Sequence, residues 1–310
     1  MDSPVARHFP PVVFHRGKKY LWNRIRRKPL ENLPEERVRL RYIDFLALET
    51  EWPHSRIASE AAIYESKKGS PLRADLICYS KDLIPEILIE CKAESVSLDE
   101  VTAIQAARYN RTLDAKFIGI TNGIHEYWFQ MKDEKPVELN NVPFQHKPGF
   151  SQLRKKIHYW QERGFTGKKS IAPLRDRLAR VLPVFWSDEI NWETRFLNIR
   201  EELDGLQFNH YYRLASIHDN RRLAITFLQS PDERSWLATI LNENRQNRGM
   251  LLINLDQFFD ESNKNSRLIT NQKQINPDVR TLLPKNFIDL DPSTIHQLPE
   301  HLDLIFKKYL

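Results

Sequence analysis

Cysteine, methionine and glycine are scarce in this 310-residue chain, with two, three and nine respectively. Two cysteines exclude a disulfide framework, so Cys78 and Cys91 are expected as a reduced, packed pair. No apolar run approaches the roughly 20 residues that cross a bilayer. The opening MDSPVARHFPPVVF lacks a charged segment followed by an apolar core, which argues against a signal peptide. A cytoplasmic location without membrane attachment is therefore expected. A phosphate-cradling loop needs four residues between its glycines and then Lys-Ser or Lys-Thr directly after. Gly164-Phe-Thr-Gly-Lys-Lys-Ser170 satisfies neither requirement, so no ATP-driven motor is expected.

What is present is charge: 47 basic and 41 acidic residues, a net +6. That total suits a polyanionic partner only weakly, and the distribution says more. Between Arg7 and Lys28 every charge is basic, with Tyr20 and Trp22 interleaved. Arg24, Arg26, Arg27 and Lys28 form the densest part and are candidate nucleic-acid contacts, the alternative being a solvated basic arm.

The most informative stretch is 73–92, RADLICYSKDLIPEILIECK. Residues 75–79 and 86–92 read as two strands around turn formers at 80–85, hence an antiparallel hairpin. Side chains alternate across a strand, so Leu88, Glu90 and Lys92 share one face while Ile87, Ile89 and Cys91 share the other. Pairing about residues 83 and 84 sets Asp75 opposite Lys92, with Glu90 diagonal to it. Two carboxylates and an amine on an apolar face are costly unless compensated. A salt bridge at a sheet edge is one solution. A hard divalent cation such as Mg²⁺ (or Mn²⁺) on Asp75 and Glu90 is another, with Lys92 orienting or deprotonating an attacking water.

Asp75, Glu90 and Lys92 resemble the signature of the PD-(D/E)XK nuclease superfamily, an Asp on one strand and Glu-x-Lys on the next. The resemblance extends to the N-terminal nuclease domain of the restriction subunit of type I restriction enzymes. It runs through Pro34-Glu-Glu-Arg-Val-Arg39, Arg73-Ala-Asp75, Glu90-Cys-Lys-Ala93, Gln105 with Tyr109, and Thr121-Asn-Gly123, over roughly residues 20–130. Ala74 departs from the superfamily's Pro, at a position that only shapes the approach to the strand. The resemblance implies a Mg²⁺-dependent DNA endonuclease of restriction-endonuclease-like fold, acting in defence against foreign DNA. It implies metal ligation by Asp75, Glu90 and the Cys91 backbone carbonyl, with Lys92 positioning water. It also implies accessory roles for Gln105 and Tyr109 beside the site and, less regularly, for Glu36. The translocase of type I subunits does not carry over, since no motor motif is present. The readings set against it are a nucleic-acid-binding or assembly module that keeps the fold, and a nuclease of repair or RNA processing.

The fold class expected is α/β: a restriction-endonuclease-like mixed sheet flanked by helices, followed by a second α+β domain containing an antiparallel meander. Residues 1–19 read as a mobile basic, Pro-rich arm, 20–149 as the nuclease-like domain, 150–184 as a helical connector and 185–310 as a domain of unassigned role. In detail, 20–25 is a short edge strand, and Asn32 caps a helix that has Pro34, Glu35 and Glu36 in its first turn. Val38, Tyr42, Phe45 and Leu46 form that helix's apolar stripe. Residues 57–64 are a strand containing Glu60, with a turn at Lys67-Lys-Gly-Ser70. Ser97-Leu-Asp-Glu100 is a capping box opening the helix that carries Gln105 and Tyr109. Residues 116–121 and 124–129 are strands joined at Asn122-Gly123, the strongest short hairpin signal.

Beyond 150, helices are expected over 151–163 and 170–182. The meander runs through 211–217, 222–228, 236–241 and 250–255, turning once at Asp219-Asn220. A final helix carries Leu302, Ile305, Phe306 and Tyr309 on one stripe. His210 and His218 show no ligand spacing and are expected to be structural or on the surface. The role of this last domain is open between DNA-site recognition, formation of a homodimer and docking to a partner subunit.

Overall fold

Pro34 at the first helical position and Glu35 and Glu36 in the first turn start α1 (Pro34–Glu49), and Thr50 ends it in extended conformation. In the computed structural model, which describes residues 1–63, 72–133, 135–199, 202–203, 205–259, 266–284 and 290–310, the chain divides into two units. Residues 1–13 and 20–150 make unit 1, and 14–19 and 151–310 make unit 2.

Before α1 lie the short strands β1 (Val12–His15), β2 (Lys18–Asn23) and β3 (Lys28–Leu30), in the order β1-β2-β3. After it, unit 1 is built on a six-stranded mixed sheet of β4 (Ile57–Ile63), β5 (Leu72–Tyr79), β6 (Pro85–Cys91), β7 (Phe117–Thr121), β8 (Glu126–Lys132) and β9 (Lys135–Leu139). Neighbours in sequence are neighbours in the sheet, and only β6 and β7 run parallel. That parallel pair requires a crossover, supplied by α2 (Glu100–Leu113). One sheet face, with Leu76, Cys78, Ile87, Ile89 and Cys91, packs on Val38, Tyr42, Phe45 and Leu46 of α1. The other carries Ile77 and Leu88. Both cysteines are free and buried.

α3 (Phe150–Arg154) starts on the last residue of unit 1 and continues into unit 2, which adds α4 (Ile157–Gln161) and α5 (Ala172–Phe185). Its seven-stranded antiparallel sheet has the order β10-β13-β14-β15-β16-β17-β18. The strands are β10 (Glu193–Leu197), β13 (His210–His218), β14 (Arg221–Gln229), β15 (Ser235–Glu243), β16 (Gln246–Asn254), β17 (Ser266–Ile269) and β18 (Gln274–Ile275). The small hairpin β11 (Glu202–Leu203) and β12 (Leu206–Gln207) follows β10, α6 (Leu255–Phe259) follows β16, and α7 (Leu298–Tyr309) closes the chain with Leu302, Ile305 and Phe306 buried. The alternating apolar positions place β13 to β16 as a meander, turning at Asp219-Asn220 as the sequence predicts. The α/β class and the order of mixed sheet and meander are those expected.

Several local expectations change. Residues 1–19 do not stand apart as an arm, because their apolar residues have somewhere to go. Val5, His8 and Phe9 are buried, the His8 ring bridges Asp44 at 3.0 Å and Glu49 at 2.6 Å, and Ser3 donates to Glu126 at 2.9 Å. Residues 14–19 group with unit 2, where Lys19 is buried and its pKa is lowered to about 7 by that burial. The connector expected at 150–184 is part of unit 2, and its first helix is broken at Lys155-Lys156 into α3 and α4. Neither expected helix cap forms. Leu33 is the residue preceding α1, and Asn32 instead accepts from the Arg37 guanidinium at 3.1 Å. In α2 the capping carboxylate belongs to Asp99, which accepts from the Thr102 amide at 3.0 Å, and not to Ser97. The turn expected at 67–70 lies outside the described residues.

Candidate active site

The register of β5 on β6 decides what the carboxylates meet. Leu76 pairs with Ile89, Ile77 with Leu88 and Cys78 with Ile87. Continued by one residue, this sets Asp75 opposite Glu90, two residues from the expected pairing with Lys92. The reason is the turn: the Ser80 amide donates to the Ile84 carbonyl at 2.8 Å and Leu83 takes φ 61°, so the loop centres nearer residue 82 than 83 and 84. A shift of two residues preserves which face each side chain occupies, whereas a shift of one exchanges the faces. Asp75, Glu90 and Lys92 therefore still converge. The Asp75 carboxylate also accepts from the Cys91 amide at 2.7 Å, which fixes it to the end of β6.

Around Lys92 the hydrogen bonds close on themselves. Its ammonium donates to Glu90 Oε1 at 2.9 Å and to Gln105 Oε1 at 3.0 Å. Gln105 Nε2 donates back to Glu90 Oε1 at 2.8 Å and to the Tyr109 hydroxyl at 2.9 Å. One helical turn separates Gln105 from Tyr109, so α2 presents both to the end of β6. Glu90 is 3% exposed, and burial, with the neighbouring Asp75 charge, raises its pKa to about 7 against the opposing pull of Lys92. Burial works against the Lys92 ammonium too, but the hydrogen bond and charge of Glu90 outweigh it and raise its pKa.

Arg39, on the buried side of α1, completes the constellation, and sequence reasoning did not single it out. Its guanidinium meets Asp75 through Nε at 3.0 Å and through a second nitrogen at 2.5 Å, Glu36 at 2.5 Å and Glu60 at 3.5 Å. Glu60 reaches it from a strained position, φ 51° within β4. The available signal was Glu36 and Arg39 three residues apart on one helix, a spacing that pairs side chains. Arg26 pairs with Glu60 from the β2–β3 connection, and Asn23 donates to Ser59 at 3.3 Å. Arg26 is thus held to the β4 side of the site; Arg26 and Arg27 are exposed, while Arg24 and Lys28 are half-buried.

The donors suit a hard cation. Glu90 Oε2 and Glu36 Oε2 are buried without a hydrogen-bond partner, and carboxylate oxygens are the ligands Mg²⁺ takes. Yet among the described residues no three His, Cys, Asp or Glu side chains are grouped so that they could hold a metal ion. The physical reason is Arg39, whose guanidinium lies between Asp75 and Glu36 and neutralises them in place of an ion.

No curated protein and no solved structure matches the chain. Residues 34–143 match the family model described as Type I restriction enzyme R protein N terminus (HSDR_N). That span runs from α1 past β9 and contains Glu36, Arg39, Asp75, Glu90, Lys92, Gln105 and Tyr109, leaving unit 2 outside. The chain therefore carries, over residues 34–143, a domain similar to the N terminus of the type I restriction enzyme R protein.

Proposed function

We propose that unit 1 is a divalent-cation-dependent DNA endonuclease of PD-(D/E)XK type, serving restriction of foreign DNA. The observation that carries this reading is the closed Glu90–Lys92–Gln105–Tyr109 network with Asp75 on the facing strand. Asp75, Glu90 and the Cys91 carbonyl would hold Mg²⁺ or Mn²⁺, which when bound supplies positive charge at the scissile phosphate and acidifies water. Lys92 has three ammonium protons, and two are committed to Glu90 and Gln105. The third is left to orient a water for attack on phosphorus. Since its pKa is raised, Lys92 stays charged at neutral pH and serves orientation and charge stabilisation, not proton abstraction. Gln105 holds that ammonium at a fixed angle, and Tyr109 holds Gln105. Arg39 would have to swing from Asp75 as the cation enters, leaving its charge for a phosphate oxygen. Arg24, Arg26, Arg27 and Lys28 would grip the DNA backbone.

The test is incubation of the purified full chain with plasmid, linear and single-stranded DNA, with Mg²⁺ or with chelator. Cleavage requiring the cation is expected. Asp75→Asn, Glu90→Gln and Lys92→Ala should each lower its rate by about 10²-fold or more, with DNA binding largely kept. Metal-free cleavage, or full activity in Lys92→Ala, would overturn it. The Arg39–Asp75 pair favours a second reading, a DNA-binding module of a larger assembly in which the guanidinium replaces the cation permanently. Absence of Mn²⁺ binding by calorimetry, together with intact DNA binding, would select that reading.

A further inference from the structure

The seven-stranded sheet of unit 2 has two unlike faces. Ala215 of β13 lines a cavity with α7, as do Ser216, Ile217 and His218 at the irregular end of the strand, whereas Leu214 of β13 pairs with Ala224 of β14, and Ala224 with Ile240 of β15, on the face opposite Ala215. On that opposite face lies a groove of about 480 Å³, with Leu214, Ala224 and Ile240 as its floor and Arg195, Arg222 and Arg245 among its walls. Asn198, Asn242 and Asn247 complete the polar lining, which holds no carboxylate among the described residues. A second cavity of about 450 Å³, lined by Glu202 and Phe208 among others, shares Ile199, Ile240 and Asn247 with it, so the two adjoin. Arg195 pairs with the exposed Glu193 at 3.1 Å, but Arg222 and Arg245 have no carboxylate partner among the described residues.

A second observation is independent of the groove. The two-residue connection from β15 to β16 is Asn244-Arg245, with φ 52° and 64°. Glycine takes the second position of such a turn without penalty, and arginine does not. A strained arginine with no carboxylate partner among the described residues, lining a groove whose described walls carry no carboxylate, suits a held anion.

We propose that this face binds single-stranded DNA, with one base on the aliphatic floor, its edge read by the asparagine amides, and its flanking phosphates held by Arg222 and Arg245. The volume lies in the range of sites that hold one small organic group, roughly 300–1,000 Å³, and the adjoining cavity receives the next nucleotide. Guanidinium groups are matched to phosphate geometry, and a positively charged groove that tracks the backbone is how strand sites gain affinity. The choice of DNA over RNA rests on the reading of unit 1.

The test uses the full chain in chelator and fluorescence anisotropy with a labelled single-stranded DNA. Arg222→Gln combined with Arg245→Gly should weaken binding at least tenfold and reduce the log–log salt slope by about 1.4, at about 0.7 per lost phosphate contact. Arg245→Gly relieves the turn, so its melting temperature should equal or exceed that of the unsubstituted protein. Unchanged affinity, a melting temperature that falls with the affinity in Arg245→Gly, equal competition by an acidic peptide, or tighter binding of RNA would each overturn the proposal. These variants lie outside unit 1, so their failure would leave metal-dependent cleavage standing.

Discussion

Arg39 and Glu90 set opposite demands on the same cluster. The guanidinium offsets Asp75, Glu36 and Glu60, and breaking a buried pair on one side costs about 3–5 kcal/mol. Arg39→Gln should therefore lower stability by about that amount in urea melts with chelator. Mg²⁺ should restore more stability to that variant than it adds to the unsubstituted protein. Glu90 carries a proton more readily folded than unfolded, its pKa rising from 4.5 to about 7. Between those values the folded state binds more protons than the unfolded one, so stability falls as pH rises through this window and levels off above it. Glu90→Gln should abolish that component. Its melting temperature relative to the unsubstituted protein should increase from pH 4.5 to 8 in chelator, by on the order of 5 °C. A difference that stays constant with pH would exclude Glu90 as the group responsible.

At the scale of elements, strands were more legible than their registers, and helices more legible than their caps. The parity of β5 and β6 survived a two-residue error because apolar alternation specifies the face, while the turn at 80–84 specifies the pairing. In α1 the stripe of Val38, Tyr42, Phe45 and Leu46 marks one buried side, but Arg37, Arg39, Arg41 and Asp44 are buried as well. Charge pairing covers what periodicity assigns to solvent. Strands β7 and β8 show a tight fit of another kind. Gly119 pairs with Trp128, and a Cβ on Gly119 would stand 2.7 Å from the indole ring, which is fully buried and donates to Glu126 at 2.9 Å. Gly119→Ala should cost about 1–3 kcal/mol in a urea titration by displacing that indole. An unaltered midpoint would mean that the ring moves freely.

For the whole molecule, the N-terminal residues matter out of proportion to their number. Val5 and Phe9 each bury a side chain worth about 1.5–3 kcal/mol, and His8 joins two carboxylates of α1. Removing residues 1–13 from the full chain should lower the midpoint of unit 1 in a protease-resistance titration, whereas an arm free in solvent would leave it unchanged. From the sequence alone followed the α/β class, the meander with its turn at Asp219-Asn220, and the shared face of Asp75, Glu90 and Lys92, whereas the place of Gln105 and Tyr109 beside them was implied only by the family resemblance. Alternation, helical spacing and turn chemistry are local, and each is written within a few residues. The tertiary structure decided what local pattern leaves undetermined: Asp75 set against Glu90, Arg39 and Glu60 joined to the cluster, and the basic Arg26 turned toward an acid. It also brought Arg195 of β10, Arg222 of β14 and Arg245 of the β15–β16 turn to one sheet face. Such meetings depend on contacts between residues dozens of positions apart, and burial, not propensity, determines which charges end as neighbours.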